Sequence, residues 1–221
     1  MLRFAVIFTG LAAMPIEASD FREVSFPTAD GGTVFANEYG SGDNAVVLAH
    51  GAVFNKESWG EQALELARAG LRVLAIDFRG YGKSRGPGGR AALYEDVLAA
   101  MRYLRESGAN SVSLVGGSMG GGAAGRAAIA ADRGQVDRLV LLAAVPVDEP
   151  EHLQGRKLFI VSKGDGLHDR VIDQFERAND PKRLEVLDGN AHAQHIFKTD
   201  QGPKLLALIR DWLTEGAEPR P

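Results

Sequence analysis

From Phe21 onward the spacing of apolar residues switches repeatedly between two periods. Residues 21–26 and 33–39 alternate apolar with polar positions, and Asp30-Gly31-Gly32 between them supplies turn chemistry, so the pair predicts a β-hairpin. Residues 45–49 form a short continuous apolar run, the mark of a strand covered on both faces. Residues 58–69 return to helical spacing and stop at Gly70. The same alternation continues to the end. Strands are predicted at 72–76, 111–115, 138–143, 157–162 and 183–187, and helices at 93–105, 119–131, 169–178 and 204–213. The clearest helical face carries Leu93, Val97, Met101 and Leu104.

Regular alternation of strand and helix implies an α/β fold: a mostly parallel sheet with helices on both faces. A chain of 221 residues with 45% hydrophobic composition can fill one such core, and one domain over residues 21–216 is expected. Ligands of these sheets bind beyond the carboxyl ends of the strands. The segments that follow strands are therefore the ones to search for chemistry.

The strand at 111–115 runs into Gly116-Gly117-Ser118-Met119-Gly120, a G-x-S-x-G turn followed at once by a helix. Such a turn lifts a serine oxygen above the sheet, and the helix amide dipoles behind it favour developing negative charge. Ser118 is the candidate nucleophile. A hydroxyl needs a base, and the base needs a carboxylate to orient it. After the strand at 157–162 comes Lys163-Gly164-Asp165, and after the strand at 183–187 comes Asp188-Gly189-Asn190-Ala191-His192. The order Ser, Asp, His selects Asp165 as orienting acid and His192 as base. His195 and His50 remain rivals for the base, and Asp169 and Asp148 for the acid. The strand at 45–49 leads into His50-Gly51-Ala52-Val53. Acyl transfer needs two amide donors for the oxyanion, and those of Ala52 and Met119 are the candidates. Val53, Phe54, Val147 and Leu167, all close after strands, are candidates to line an acyl pocket.

Composition narrows the alternatives. A formal net charge of −4, from 25 basic and 29 acidic residues, argues against a nucleic-acid partner. With no cysteine, thiolate catalysis, disulfides and cysteine-ligated metals are excluded. His192 and His195 lack zinc-site spacing, and no metal and no cofactor are expected. Two nucleotide-binding patterns fail on context. Gly82-Lys83-Ser84 ends like a P-loop, but the leading glycine position is Asp77. Gly120 to Gly125 spells G-x-G-x-x-G inside the helix rather than at the turn before it, where it reads better as close helix packing. At the N-terminus, Met1-Leu2-Arg3 and the apolar run to Met14 resemble a signal peptide over residues 1–18, which implies export. No segment is long and apolar enough for a stable membrane span. Nothing in the sequence identifies an oligomer interface.

On these residues the chain resembles the α/β-hydrolase superfamily from about Phe21 onward. His50-Gly51, Gly116 to Gly120, Asp165 and His192 fall where that family carries its oxyanion loop, nucleophile elbow, acid and base. Asp77-Phe78-Arg79-Gly80-Tyr81-Gly82-Lys83-Ser84 resembles its D-x-R-G-x-G-x-S turn, a structural mark. Many members insert a lid where this chain has only residues 144–156, so the resemblance implies an open, lidless, esterase-like member. The expected reaction is hydrolysis of a small carboxylic ester through an acyl-enzyme. Thioester, amide or peptide cleavage and peracid formation use the same machinery, and a non-catalytic binding protein on the same fold is the rival from another class.

Overall fold

The computed structural model describes residues 21–215. The leader expected over residues 1–18 lies outside them. Eight strands form one sheet: β1 (Arg22–Pro27), β2 (Thr33–Tyr39), β3 (Asn44–Ala49), β4 (Arg72–Ile76), β5 (Ser111–Gly117), β6 (Arg138–Leu142), β7 (Arg156–Ser162) and β8 (Lys182–Leu187). The spatial order is β1-β2-β4-β3-β5-β6-β7-β8. β1 and β2 pair antiparallel as the hairpin, with Phe26 opposite Val34, and β2 joins β4 antiparallel. Every pairing from β4 to β8 is parallel. The five helices are α1 (Gly60–Arg68), α2 (Leu93–Glu106), α3 (Met119–Ala130), α4 (His168–Arg177) and α5 (Gly202–Thr214). Among the described residues no helix is long and apolar enough to cross a membrane.

The chain moves outward from β3 to β4, then crosses back to β5 on the other side of β3. Right-handed crossovers on the two sides of such a reversal place their helices on opposite faces. α2 and α3 pack together on one face, while α1 and α5 meet through Glu65 and Arg210. The reversal opens a crevice above the carboxyl ends of β3 and β5, the place where such sheets bind ligands. β3 and β6 lie inside the sheet and are buried along almost their whole length, which is why their sequences read as nearly unbroken apolar runs.

The expected elements are present with ends shifted by at most two residues. The predicted helix at 58–69 begins instead as a 3-10 turn, Lys56–Trp59, that passes into α1. The predicted strand at 138–143 stops one residue short because Ala143 turns to φ +42. No lid is present: residues 143–155 connect β6 to β7 with one 3-10 turn, Pro150–His152.

Candidate active site

β5 leads into one of three positive-φ non-glycine residues among the described residues. Ser118 has φ 51 and ψ −116, a conformation that a residue with a Cβ rarely adopts. Three hydrogen bonds hold it there. Its N–H donates to the Leu142 carbonyl at 3.0 Å, and its carbonyl accepts from Gly122 at 3.1 Å and Val145 at 3.0 Å. Strain of this kind persists only where surrounding contacts over-determine it. The flanking glycines are steric necessities. A Cβ on Gly116 would lie 2.4 Å from the Gly120 carbonyl, and one on Gly120 would lie 2.3 Å from that of Ala49. The glycines inside α3 also serve packing, since a Cβ on Gly121 would lie 2.5 Å from that of Ala144.

Above the turn, His192 Nε2 lies 2.8 Å from Ser118 Oγ, and His192 Nδ1 lies 2.8 Å from Asp165 Oδ2. With the carboxylate accepting, the imidazole proton belongs on Nδ1 and Nε2 is left to accept from the serine hydroxyl. The Asp165 side chain is fully buried, and its other oxygen accepts from the Leu167 amide at 2.8 Å, so neither oxygen is left unpaired. The loops carrying acid and base are joined directly. Gly164 N–H donates to the Gly189 carbonyl at 2.9 Å, and Ser162 Oγ donates to that of Ala191 at 2.8 Å.

The rivals stand elsewhere. His50 is completely buried, its Nδ1 is 2.8 Å from the Gly51 carbonyl, and its Nε2 accepts from the Phe78 amide at 3.3 Å. Burial lowers its pKa, which keeps it neutral as a brace. His195 is exposed and packs on the Phe54 ring. The Asp169 side chain is in solvent beside His168, and Asp148 is exposed.

Beside the serine, the Met119 amide is the first of α3 and belongs to the turn of donors that a helix leaves unused. Ala52 sits within a turn closed by Phe54 N–H to the Gly51 carbonyl at 3.0 Å, a bond that does not use the Ala52 amide. Two side chains, half-buried Tyr81 and buried Gln194, brace this turn. Tyr81 donates its hydroxyl to the Ala52 carbonyl at 2.8 Å. Gln194, 4% exposed, accepts from the Gly51 amide at 2.7 Å and donates to Ser58 Oγ at 2.9 Å. Sequence reasoning missed Gln194. Its side chain reaches Gly51 because Ala193, at φ +48, turns the chain just after His192.

The structure sets the four pocket candidates apart. Val147 lines a cleft of about 500 Å³ that begins at Met119. Phe54 lines a different cavity of about 300 Å³ with Gln194 and Phe197. Val53 is 79% exposed, and Leu167 packs against the core. Residues 145–148, which follow β6, form one side of the Met119 cleft, and one face of α3 with the start of α2 forms the rest. A larger cleft of about 840 Å³ opens at the amino ends of the strands, near Gly134, Gly155 and Pro181, but no serine, threonine or cysteine lines it.

Residues 46–220 match the model of the Alpha/beta hydrolase family. The chain belongs to this family. The chain is 33% identical over 193 residues to the non-heme haloperoxidase of Rhodococcus erythropolis, covering 86% of its own length and 67% of that relative. It is 31% identical over 194 residues to the non-heme chloroperoxidase of Streptomyces lividans, covering 86% and 66%. The chain thus spans about two thirds of the length of either relative. Its fold is similar to that of an esterase of Pyrococcus furiosus, with a TM-score of 0.74, 17% identity and coverage of 87% and 91%.

The Gln194 brace yields an expected result. Gln194→Met keeps the volume but strands a buried Gly51 N–H, a loss of roughly 1–3 kcal/mol at that loop. If the loop carries an oxyanion donor, kcat on a neutral ester falls about tenfold or more while KM changes little, since the loss falls on the transition state. Steady-state kinetics check this. A change confined to KM would assign Gln194 to substrate binding instead.

Proposed function

We propose that the protein is a serine hydrolase that cleaves carboxylic esters through an acyl-enzyme. The observation that carries this reading is the unbroken hydrogen-bonded chain Asp165–His192–Ser118, set on the strained turn at the crevice above β3 and β5. In the reaction Ser118 Oγ attacks the ester carbonyl as His192 Nε2 takes its proton. Asp165 holds the imidazole tautomer and stabilises the imidazolium. The Ala52 and Met119 amides receive the oxyanion. His192 returns the proton to the departing alcohol. Water, deprotonated by the same nitrogen, then releases the acid and regenerates the Ser118 hydroxyl.

The names of the curated relatives favour a second reading of the second half-reaction. Hydrogen peroxide in place of water would attack the acyl carbon. Its oxygen forms the new bond, the acyl–Oγ bond breaks, and the proton passes through His192 to Ser118. The product is a peracid, itself able to oxidise halide. The same acyl-enzyme serves both readings.

The test combines turnover of p-nitrophenyl acetate, with and without peroxide, with labelling by a fluorophosphonate followed by peptide mapping. Release of p-nitrophenol and a single adduct on Ser118 are expected. An inert Ser118 in folded protein would overturn both readings and favour a binding protein on a hydrolase fold.

A further inference from the structure

The cleft of about 500 Å³ beside Met119 has an apolar lining with two arginines among its residues. Its floor is a single face of α3: Met119, Gly122, Ala123 and Arg126 stand at i, i+3, i+4 and i+7. Gly122 keeps that floor low, since a Cβ there would lie 3.0 Å from the Val145 carbonyl. The apolar part of the lining comes from Leu93, Val145, Pro146 and Val147, with Val145 against Gly122 and Val147 against Gly125. The far rim carries two guanidinium groups, Arg90 and Arg126. Arg126 is held in place: it lies 4.6 Å from the centre of the Tyr94 ring, and Nη1 donates to the Ala91 carbonyl at 2.8 Å. Among the described residues, no carboxylate forms an ion pair with either arginine, whereas Arg79 and Arg177 each pair with two. Asp148 is the only acid lining the cleft, so the rim is net positive.

A fixed guanidinium with unused donors suits a planar carboxylate, which it binds through two parallel hydrogen bonds. Met119 to Arg126 spans about 10 Å along the helix at 1.5 Å per residue. We infer that this cleft selects esters in which one arm is an apolar chain ending in a carboxylate, with Arg126 and Arg90 as the residues that recognise it. The inference rests on the esterase reading for its chemistry, but the cleft and its charge stand independently of turnover.

The test therefore reads binding first. Ser118→Ala protein is titrated by calorimetry with half-esters of straight-chain α,ω-diacids of increasing length, and with ω-carboxyalkyl acetates, which carry the charge on the alcohol arm. The corresponding diesters serve as neutral controls. In at least one series the carboxylate is expected to tighten binding by about tenfold over its control, once the chain can span the cleft. Adding Arg126→Met removes that advantage, and raising the salt concentration shrinks it. Equal binding of charged and neutral esters, no binding of either, or an advantage that survives Arg126→Met would each overturn the inference. Wild-type hydrolysis of the same compounds is scored separately. Selective binding without turnover would reject the esterase reading and leave the cleft assignment standing.

Discussion

Replacing Ser118 with alanine is expected to lower kcat on p-nitrophenyl acetate by about a millionfold, with KM little changed. The reasoning is geometric. Ser118 Oγ is the atom within 2.8 Å of His192 Nε2, and the turn that carries it is bonded at both its N–H and its carbonyl. Alanine keeps this backbone, so the loss should be chemical rather than structural. Asp165→Asn should cost about ten-thousandfold, because an amide nitrogen facing Nδ1 favours the wrong imidazole tautomer. Combining Ser118→Ala with His192→Ala should add almost nothing, since the side chains act as one unit. Activity retained in purified Ser118→Ala protein, above that of a mock preparation, would place the reaction at another site.

Much of this arrangement was legible in the sequence because it is local. Each strand announces itself by its own apolar period, and each candidate side chain follows a strand within a few residues. The parallel sheet then forces Ser118, Asp165 and His192 to a common edge, where they are hydrogen-bonded to one another. What stayed hidden depends on contacts between segments far apart in sequence. Gln194 looks like any polar loop residue until Ala193 turns it back toward Gly51, 143 positions away. The cleft was legible only at Val147, for a related reason. The i, i+3, i+4, i+7 face from Met119 to Arg126 is visible in the sequence, but that Arg90, Leu93 and Val147 close over it is a matter of tertiary packing. The Asp77–Ser84 turn was recognised by resemblance, whereas the reason for its residues appears only in three dimensions.

That reason leads to the largest expected effect on stability. Arg79, with a side chain only 2% exposed, joins three segments. It pairs with Asp96 of α2 at 2.7 Å and with Asp30 of the hairpin turn at 2.5 Å, and it also donates to the Pro87 carbonyl. The Arg79 backbone N–H donates to the same Asp96 carboxylate at 2.8 Å. The two acids respond oppositely. Hydrogen bonding to Arg79 holds Asp30, near the surface, down to about 2. Asp96 is fully buried, and desolvation raises its pKa despite the guanidinium. Arg79→Met leaves Asp96 buried without its counter-charge, a change that typically costs about 3–5 kcal/mol. For a chain of this size that is a fall in Tm of roughly 6–20 °C. The cost should depend on pH with a definite sign. Without Arg79 the Asp96 pKa rises further above its unfolded value, so the folded state binds the extra proton and stability falls as pH rises through that interval. The variant should therefore lie closer to wild type at pH 5 than at pH 8. Asp30 adds to the same trend, because its Arg79-dependent stabilisation of the wild type fades as pH drops from about 4 toward 2. Arg79→Met combined with Asp96→Leu should regain much of the loss, since no buried charge is left unpaired. Thermal unfolding of the three proteins at both pH values decides the matter, and equal Tm values at pH 8 would show that the ion cluster carries no weight. The damage should also reach the site. The same turn presents Tyr81, whose hydroxyl holds the Ala52 carbonyl at 2.8 Å. Well below its Tm, Arg79→Met should consequently lose kcat on neutral esters in the same sense as Gln194→Met, because both loosen the loop proposed to receive the oxyanion.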